Sequence, residues 1–378
     1  MSGRKASTFQ RAYNRYVSFW ARLVVRRWRP LVIGITGSVG KTTTKELLGA
    51  VLTHPGARTS VGVTWTSAGN MNNDRSLPLA LLGYRVSATT RRRMLVRVLT
   101  VPFRALRLLT LGGYPRTLVL EFAAGPTSTI SRTAALAPPH IAIVTAIGPA
   151  HLDHFKSVVA IVEAKGALVR ATAPDGLVVL GADSPPVRDM ARMTRARVVM
   201  VPGRGRPLSE NIARVVARHL GVADDVIESA LAARGSVASR GELLSFGQIA
   251  VINDAFNANP LSMAHGIETL HARAMPGQRR VAVLGDMLEL GEESARYHRE
   301  MGALARSHAD LLIGVGALAR DYEPDHWFAS SDDCAAAVAS LARPGDLVLV
   351  KGSRSVRMDR VTEALRTFAG TSEHTTRR

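Results

Sequence analysis

The chain has 378 residues, 46% of them hydrophobic and 21% charged, which suits about two to three folded domains and excludes both a disordered chain and a small disulfide-stapled scaffold. Forty-nine Lys and Arg against 30 Asp and Glu leave a formal charge of +19, but residues 1–30 and 85–116 carry eight basic residues each and no acid, so the surplus is local. The single cysteine, Cys334, excludes an internal disulfide and a multi-thiolate zinc site and fits a reducing cytosol, while no run of ~18 apolar residues marks a membrane span and Arg22, Arg26, Arg27 and Arg29 interrupt any signal-peptide core.

The first predicted element is a basic amphipathic helix within residues 1–30. Phe9, Tyr13, Tyr16, Trp20, Leu23, Val24 and Trp28 share one face, and Arg11, Arg15, Arg22, Arg26 and Arg29 the other. Pro30 to Ile35 reads as a buried strand and Lys41 to Leu52 as a helix. Between them Gly34-Ile-Thr-Gly-Ser-Val-Gly-Lys-Thr-Thr-Thr44 has the makings of a phosphate loop. Its glycines let backbone N–H groups approach phosphate oxygens, the helix N-terminus adds positive potential, Lys41 can bridge terminal phosphates and Thr42 can ligate Mg²⁺. The common pattern has glycine where Ile35 stands, so Thr36-Gly37-Ser38-Val39-Gly40-Lys41-Thr42-Thr43 is a shorter variant. A glycine-rich turn with a solvated lysine is the plainer alternative, and the flanking strand and helix argue against it.

A second basic segment follows at 84–116. Leu95, Val98, Leu99, Leu106 and Leu109 oppose Arg93, Arg97, Arg104 and Arg107 at helical spacing, and Pro102 is expected to break the helix. Thr117–Glu121 and His140–Thr145 are the next strands. Glu121 ends its strand at the carboxyl edge of the sheet, where a carboxylate can hold Mg²⁺ together with Thr42; a helix-capping surface acid is the alternative. His151, after a Gly-Pro turn, reads equally well as a structural histidine or a ligand. Gly176–Leu180 is a further strand, Asp183–Arg206 is polar without a predicted element, and Ser209–Leu231 reads as one helical stretch ending near Gly235. From Ser239 a second series begins, with strands at Ile249–Asn253, Arg280–Leu284, Leu311–Gly314 and Asp346–Val350. The fold class expected is α/β: a central phosphate-loop-type parallel sheet with flanking helices, then a C-terminal Rossmann-like α/β domain.

The shorter phosphate loop is the variant of the Mur ligases, and from here the chain resembles that family. The nearest branch adds D-alanyl-D-alanine to a UDP-muramoyl tripeptide. Asn70–Asn73, Glu121, Ile147–Asp153, Glu163–Gly166, Asp254–Met263, Leu284–Glu292 and Lys351–Ser355 match in family order across about residues 31–365. The resemblance implies ATP on Thr36–Thr43, and two Mg²⁺ ions held through Thr42, Glu121, His151 and a carbamylated Lys165. Lys41, Lys165 and His151 would be catalytic, Asn257 would meet adenine, Asp286 would lie near the ribose, and Asn73, Lys351 and Arg354 would face substrate. Read alone, Lys165 is an ordinary helical lysine, Asn257 and Asn259 are turn residues before Pro260, and Lys351 and Arg354 are solvated charges at a strand end. The implied reaction is ATP-dependent amide formation: a substrate carboxylate becomes an acyl phosphate, which an amine then attacks. An amino acid or dipeptide would be joined to a carboxylate-bearing peptide, cell-wall-type or lipid-linked. A specialised-peptide, amino-acid-polymer or folate-type ligase, and a non-catalytic ATP-binding partner subunit, are the alternatives.

On this reading the domains are 1–30 (basic segment), 31–238 (central ATP-binding domain with a basic insertion at 84–116), 239–370 (C-terminal domain) and 371–378 (disordered tail). Only 33 residues precede Gly34, too few for the UDP-sugar-binding domain of that branch, so a UDP-muramoyl substrate is not implied. Phe256 and Ala146 stand where tyrosine and asparagine are usual, and Phe122-Ala-Ala124 after the glutamate is a further departure. For residues 8–29 and 91–109 three occupants stay open: the protein's own body or a partner protein, an anionic membrane surface, and nucleic acid, which is not expected because no nucleic-acid fold accompanies the charge. The expected location is the cytoplasm, with the inner face of the membrane open.

Overall fold

The computed structural model describes residues 8–86, 90–125, 129–235 and 239–375. In chain order the first elements are α1 (Thr8–Trp28), β1 (Leu31–Thr36), α2 (Lys41–Thr53), α3 (Arg58–Val61), β2 (Thr64–Thr66), α4 (Leu77–Leu81), α5 (Arg91–Thr110), β3 (Thr117–Glu121), α6 (Ile130–Ala134) and β4 (Ile141–Val144). They continue with α7 (Leu152–Phe155), α8 (Val158–Arg170), β5 (Leu177–Gly181), α9 (Pro185–Arg188), β6 (Arg197–Val201), α10 (Gly205–His219) and α11 (Asp224–Ala233). The chain divides into two compact units: residues 1–147 with 158–234, and residues 148–157 with 235–378.

The first unit is built on a parallel sheet of order β2-β3-β1-β4-β5-β6. Its central strands are β-branched, apolar runs buried on both faces, as parallel strands under helices must be. Ile33, Ile35, Val119, Ile143 and Val179 form a core with Leu47, Leu48 and Val51 of α2 and Ile212 and Val216 of α10. β1 lies between β3 and β4, so the chain crosses over at β1, and the crevice of such a sheet opens at the carboxyl ends of those strands. Register places Ile35 beside Glu121 and Thr36 beside Val144.

Three local expectations are corrected here. β2 and β6 are strands that were not expected: β2 is a three-residue sheet edge, and β6, the opposite edge, holds the apolar run Val198–Val201 within an otherwise charge-rich stretch. The stretch from Ser209 is two helices, since Gly221 takes a left-handed φ of 75° between α10 and α11. Pro102 does not break its helix: α5 runs through it. Proline has no N–H for the Val98 carbonyl four residues back, and the Tyr16 hydroxyl of α1 donates to that oxygen at 2.8 Å instead. Trp28 Nε1 donates to the Leu108 carbonyl at 3.0 Å, a second pin between α1 and α5. The packed face of α5 is Met94, Val101, Ala105 and Leu108, leaving Leu95, Leu99 and Leu106 exposed. Arg4 and Lys5 lie outside the described residues.

The second unit holds α7 and β7 (Glu242–Phe246), β8 (Ile249–Asp254), α12 (Pro260–Arg273), β9 (Arg280–Gly285), α13 (Ser294–His308), β10 (Leu311–Val315), β11 (His326–Phe328), α14 (Ser331–Leu341), β12 (Leu347–Lys351) and α15 (Asp359–Thr375). Its sheet order is β11-β10-β9-β12-β8-β7, parallel except for the antiparallel edge strand β7. β7 and β11 are again edge strands without a clear sequence pattern. Val251, Val283, Ile313 and Val350 pack with Cys334 and Val338 of α14 and Val361 and Leu365 of α15. Residues 371–375, expected to be disordered, continue α15, while 376–378 of that tail lie outside the described residues.

Candidate functional site

The loop between β1 and α2 has a shape only glycine permits. Gly37 sits at φ 150°, where a Cβ would fall 2.1 Å from the Thr145 hydroxyl, and Gly40 at φ 82°. The Ser38 N–H donates to the Ala146 carbonyl at 2.7 Å and Val39 bridges to Ala146, tying the loop to the end of β4. Gly40 is the N-cap of α2 and supplies no capping side chain, and no acid occupies the first turn. Lys41, Thr42 and Thr43 therefore open a helix whose N–H groups and positive dipole end suit a phosphate anion. Lys41 Nζ folds back onto the Gly37 carbonyl at 2.7 Å. Beneath the loop the buried Thr36 hydroxyl has no hydrogen-bond partner among the described residues.

Beside this loop the buried carboxylate of Glu121 accepts from Thr42 Oγ1 at 3.0 Å and from Asn72 Nδ2 at 2.9 Å. Lys45 Nζ lies 4.0 Å from the same carboxylate and donates to the Gly69 carbonyl at 2.7 Å. Sequence reasoning missed Asn72 and Lys45. Lys45 is one helical turn beyond Lys41, a spacing that could have found it. Asn72 was concealed by its neighbour: Asn73 Oδ1 accepts from the N–H groups of Arg75 and Ser76, so Asn73 caps a turn while Asn72 meets the acid.

Lys165, from α8, is 4% exposed and donates to the Gly37 carbonyl at 2.9 Å, the oxygen Lys41 also uses. Burial, and then the nearby Lys41 charge, hold its amine well below the ordinary lysine range despite the pull of Glu121. A buried carboxylate, a hydroxyl and an amide oxygen suit a hard cation such as Mg²⁺, which keeps waters and phosphate oxygens as its other ligands. No cluster of three or more His, Cys, Asp or Glu fit for a metal occurs among the described residues.

The remaining predicted residues belong to the second unit. His151 opens α7 with a left-handed φ of 55°, and its ring meets the Glu289 carboxylate, whose pKa that contact lowers. Lys351 is no solvated charge: it is 1% exposed, with Nζ donating to Asp254 at 2.6 Å and to the Asn257 carbonyl at 3.0 Å. The Asn257 side chain is exposed, and Asn259 caps α12 in a reciprocal pair with Ser262. Asp286 accepts from the Ala319 N–H at 2.8 Å at the edge of a cavity of about 350 Å³ that Ser330, Ser331 and Arg360 also line; burial pushes its pKa up. Arg354 and Arg240 lie over the Phe256 ring at 5.3 and 3.8 Å.

Residues 35–212 match the family described as Mur ligase middle domain, and residues 239–354 the one described as Mur ligase, glutamate ligase domain. The UDP-N-acetylmuramoyl-tripeptide–D-alanyl-D-alanine ligase of Mycobacterium tuberculosis is 32% identical over 402 residues, covering 88% of this chain and 72% of that protein. Its Bacillus subtilis namesake is 26% identical, covering 88% and 75%. Among solved structures, the MurF ligase of Thermotoga maritima in complex with ADP aligns with a TM-score of 0.78 at 24% identity, covering 98% of this chain and 88% of that one. FolC of E. coli in complex with ADP aligns at 0.62 and 18% identity, covering 96% and 93%. These two likenesses speak to the fold.

Proposed function

The chain belongs to the Mur ligase family of ATP-dependent ligases, and we propose that it joins an amine of the D-alanyl-D-alanine class to the terminal carboxylate of a peptidoglycan-type peptide precursor. The observation that supports the ATP-dependent step is the Thr42–Glu121–Asn72 cluster beside a helix N-terminus without a capping side chain and a buried, deprotonation-prone Lys165; the substrate class is carried over from the Mycobacterium tuberculosis relative. The precursor carboxylate attacks the γ-phosphorus of ATP, ADP leaves, and an acyl phosphate results. The amine nitrogen then attacks the acyl carbon, phosphate departs and the nitrogen loses a proton.

The first-turn N–H groups of α2 bind the phosphates. Lys41 swings from the Gly37 carbonyl onto the transferring group. Thr42 and Glu121 would hold Mg²⁺, which would neutralise charge between the phosphates. Lys165, whose amine burial inclines to lose its proton, would add to carbon dioxide with release of one proton, and the resulting carbamate would be an anionic oxygen ligand for a second cation. Asn72 and Lys45 hold the Glu121 carboxylate in place. In the second unit, the exposed Asn257 amide is the candidate for the adenine edge, and Lys351 positions its turn rather than touching substrate. Asp286 caps a turn beside the cavity offered to the ribose, and Arg354 faces an anionic group. For His151 the resemblance implies cation binding, whereas its partner here is Glu289. His151→Ala separates the two, because loss of a cation ligand raises the Mg²⁺ requirement and loss of a structural pair lowers only stability. We place the reaction in the cytoplasm, where ATP and Mg²⁺ are supplied.

The test is phosphate release, with the amide product identified by mass spectrometry, across a panel of UDP-linked and lipid-linked tripeptides paired with D-alanyl-D-alanine, single amino acids and glutamate. Release that requires both carboxylate and amine, and is fastest with D-alanyl-D-alanine, is expected. Turnover with glutamate alone would overturn the substrate class, and ATP binding without any amide product would make the chain a non-catalytic subunit.

A further inference from the structure

We infer that the α1–α5 pair is a docking surface for an anionic lipid bilayer. The outer face of α5 is an apolar ridge: Leu95, Val96, Leu99, Phe103 and Leu106 recur at helical spacing, with Phe103 76% and Leu99 69% exposed. Scattered exposed apolar residues are ordinary, but five on one face are not. Arg92, Arg93 and Arg107 are exposed around this ridge. On the outer face of α1, Arg11, Arg15, Arg22 and Arg26 form an exposed stripe interrupted by Phe19, which is 56% exposed. Among the described residues, none of Arg11, Arg15, Arg22, Arg26, Arg92, Arg93 and Arg107 is in an ion pair. An apolar ridge edged by unneutralised arginines is the layout of helices that lie in a membrane interface, with the aliphatic and phenyl groups below the headgroups and the guanidinium groups among the phosphates.

Charge decides between occupants. A second copy would bring arginine against arginine, because neither basic segment contains an acid. Nucleic acid would satisfy the arginines and leave the five apolar side chains in water. A bilayer takes both. No helix among the described residues is long and apolar enough to cross a membrane, so the attachment is to the surface. This inference is independent of the ligase reading, since binding is measured without turnover.

The full chain would be co-sedimented with vesicles of phosphatidylcholine, with and without phosphatidylglycerol, at low and high NaCl. Binding should require the anionic lipid and fall at least about fivefold at high salt as the charges are screened. Leu99→Ser with Phe103→Ser, at exposed positions, should lower it at least about tenfold, because the ridge supplies the apolar part of the attachment. If that variant fails to fold, Phe103→Trp fluorescence quenched by brominated lipid reads the same insertion. Recovery in the supernatant at low salt, or no quenching of Phe103→Trp, overturns the proposal. So do binding indifferent to the double substitution, a dimer in light scattering that Phe103→Ser dissolves, and DNA binding without vesicle binding.

Discussion

Glu121 is held by a hydroxyl, an amide and a lysine, so its substitution disturbs three contacts at once. Glu121→Gln should keep the fold and raise the Mg²⁺ concentration for half-maximal turnover at least about tenfold, since the neutral amide loses the charge that favours the cation. Lys165→Ala should lower kcat by about two to three orders of magnitude, the usual cost of removing a group that places transition-state charge. Unchanged turnover in bicarbonate-containing buffer would remove the carbamate from the mechanism. His298 is a different kind of buried base: its Nε2 accepts from the Met287 N–H at 3.0 Å and burial lowers its pKa. Below the ordinary value of 6.5 the unfolded chain takes a proton that the folded one refuses, so stability should fall as the pH drops from 6.5, and be unaffected by this group above it. Urea melts at pH 7.5 and 5.5 of the parent and of His298→Gln, which keeps an acceptor, would show the slope shrink. Glu121 was legible because an acid ending the apolar run Thr117–Leu120 is a local pattern, although only the fold brings it to Thr42, 79 residues earlier. Asn72 over Asn73 was not, because the turn geometry decides which of two adjacent amides points at the acid.

At the scale of elements, α5 shows how a rule of local structure is offset by a neighbour. Tyr16→Phe should cost about 1 kcal/mol by leaving the Val98 carbonyl without a donor. In a Pro102→Ala background the restored N–H can take that carbonyl, and the same substitution should cost close to nothing; an additive cycle by denaturant melts would sink this account. The phosphate loop was readable for the opposite reason. Its shape is set by Gly37 and Gly40 and by the start of α2, all within a few residues. Edge strands β2 and β11 were too short and β7 too exposed to leave a clear pattern, whereas the apolar run Val198–Val201 of β6 was a signal the sequence did contain.

For the molecule as a whole, each unit has its own sheet and core, and the lone thiol reports on one of them. Cys334 is fully buried in the second unit, with its pKa pushed up to about 12 by burial. A disulfide reagent should therefore react with it only when that core opens, and fast labelling of the native protein would contradict the packing. The central buried strands of each sheet, the phosphate loop, the family motifs and the concentration of the positive charge in two segments all followed from residues near one another in the chain, whereas the order of the strands did not. Tertiary structure alone decided that Lys351 pairs with Asp254, 97 residues away, that Lys165 shares a carbonyl with Lys41, and which face of α5 is left outside. The reason is physical: glycine conformation and hydrophobic period act over a few residues, whereas burial, which sets a lysine's charge and a helix's free face, depends on what distant segments pack against it.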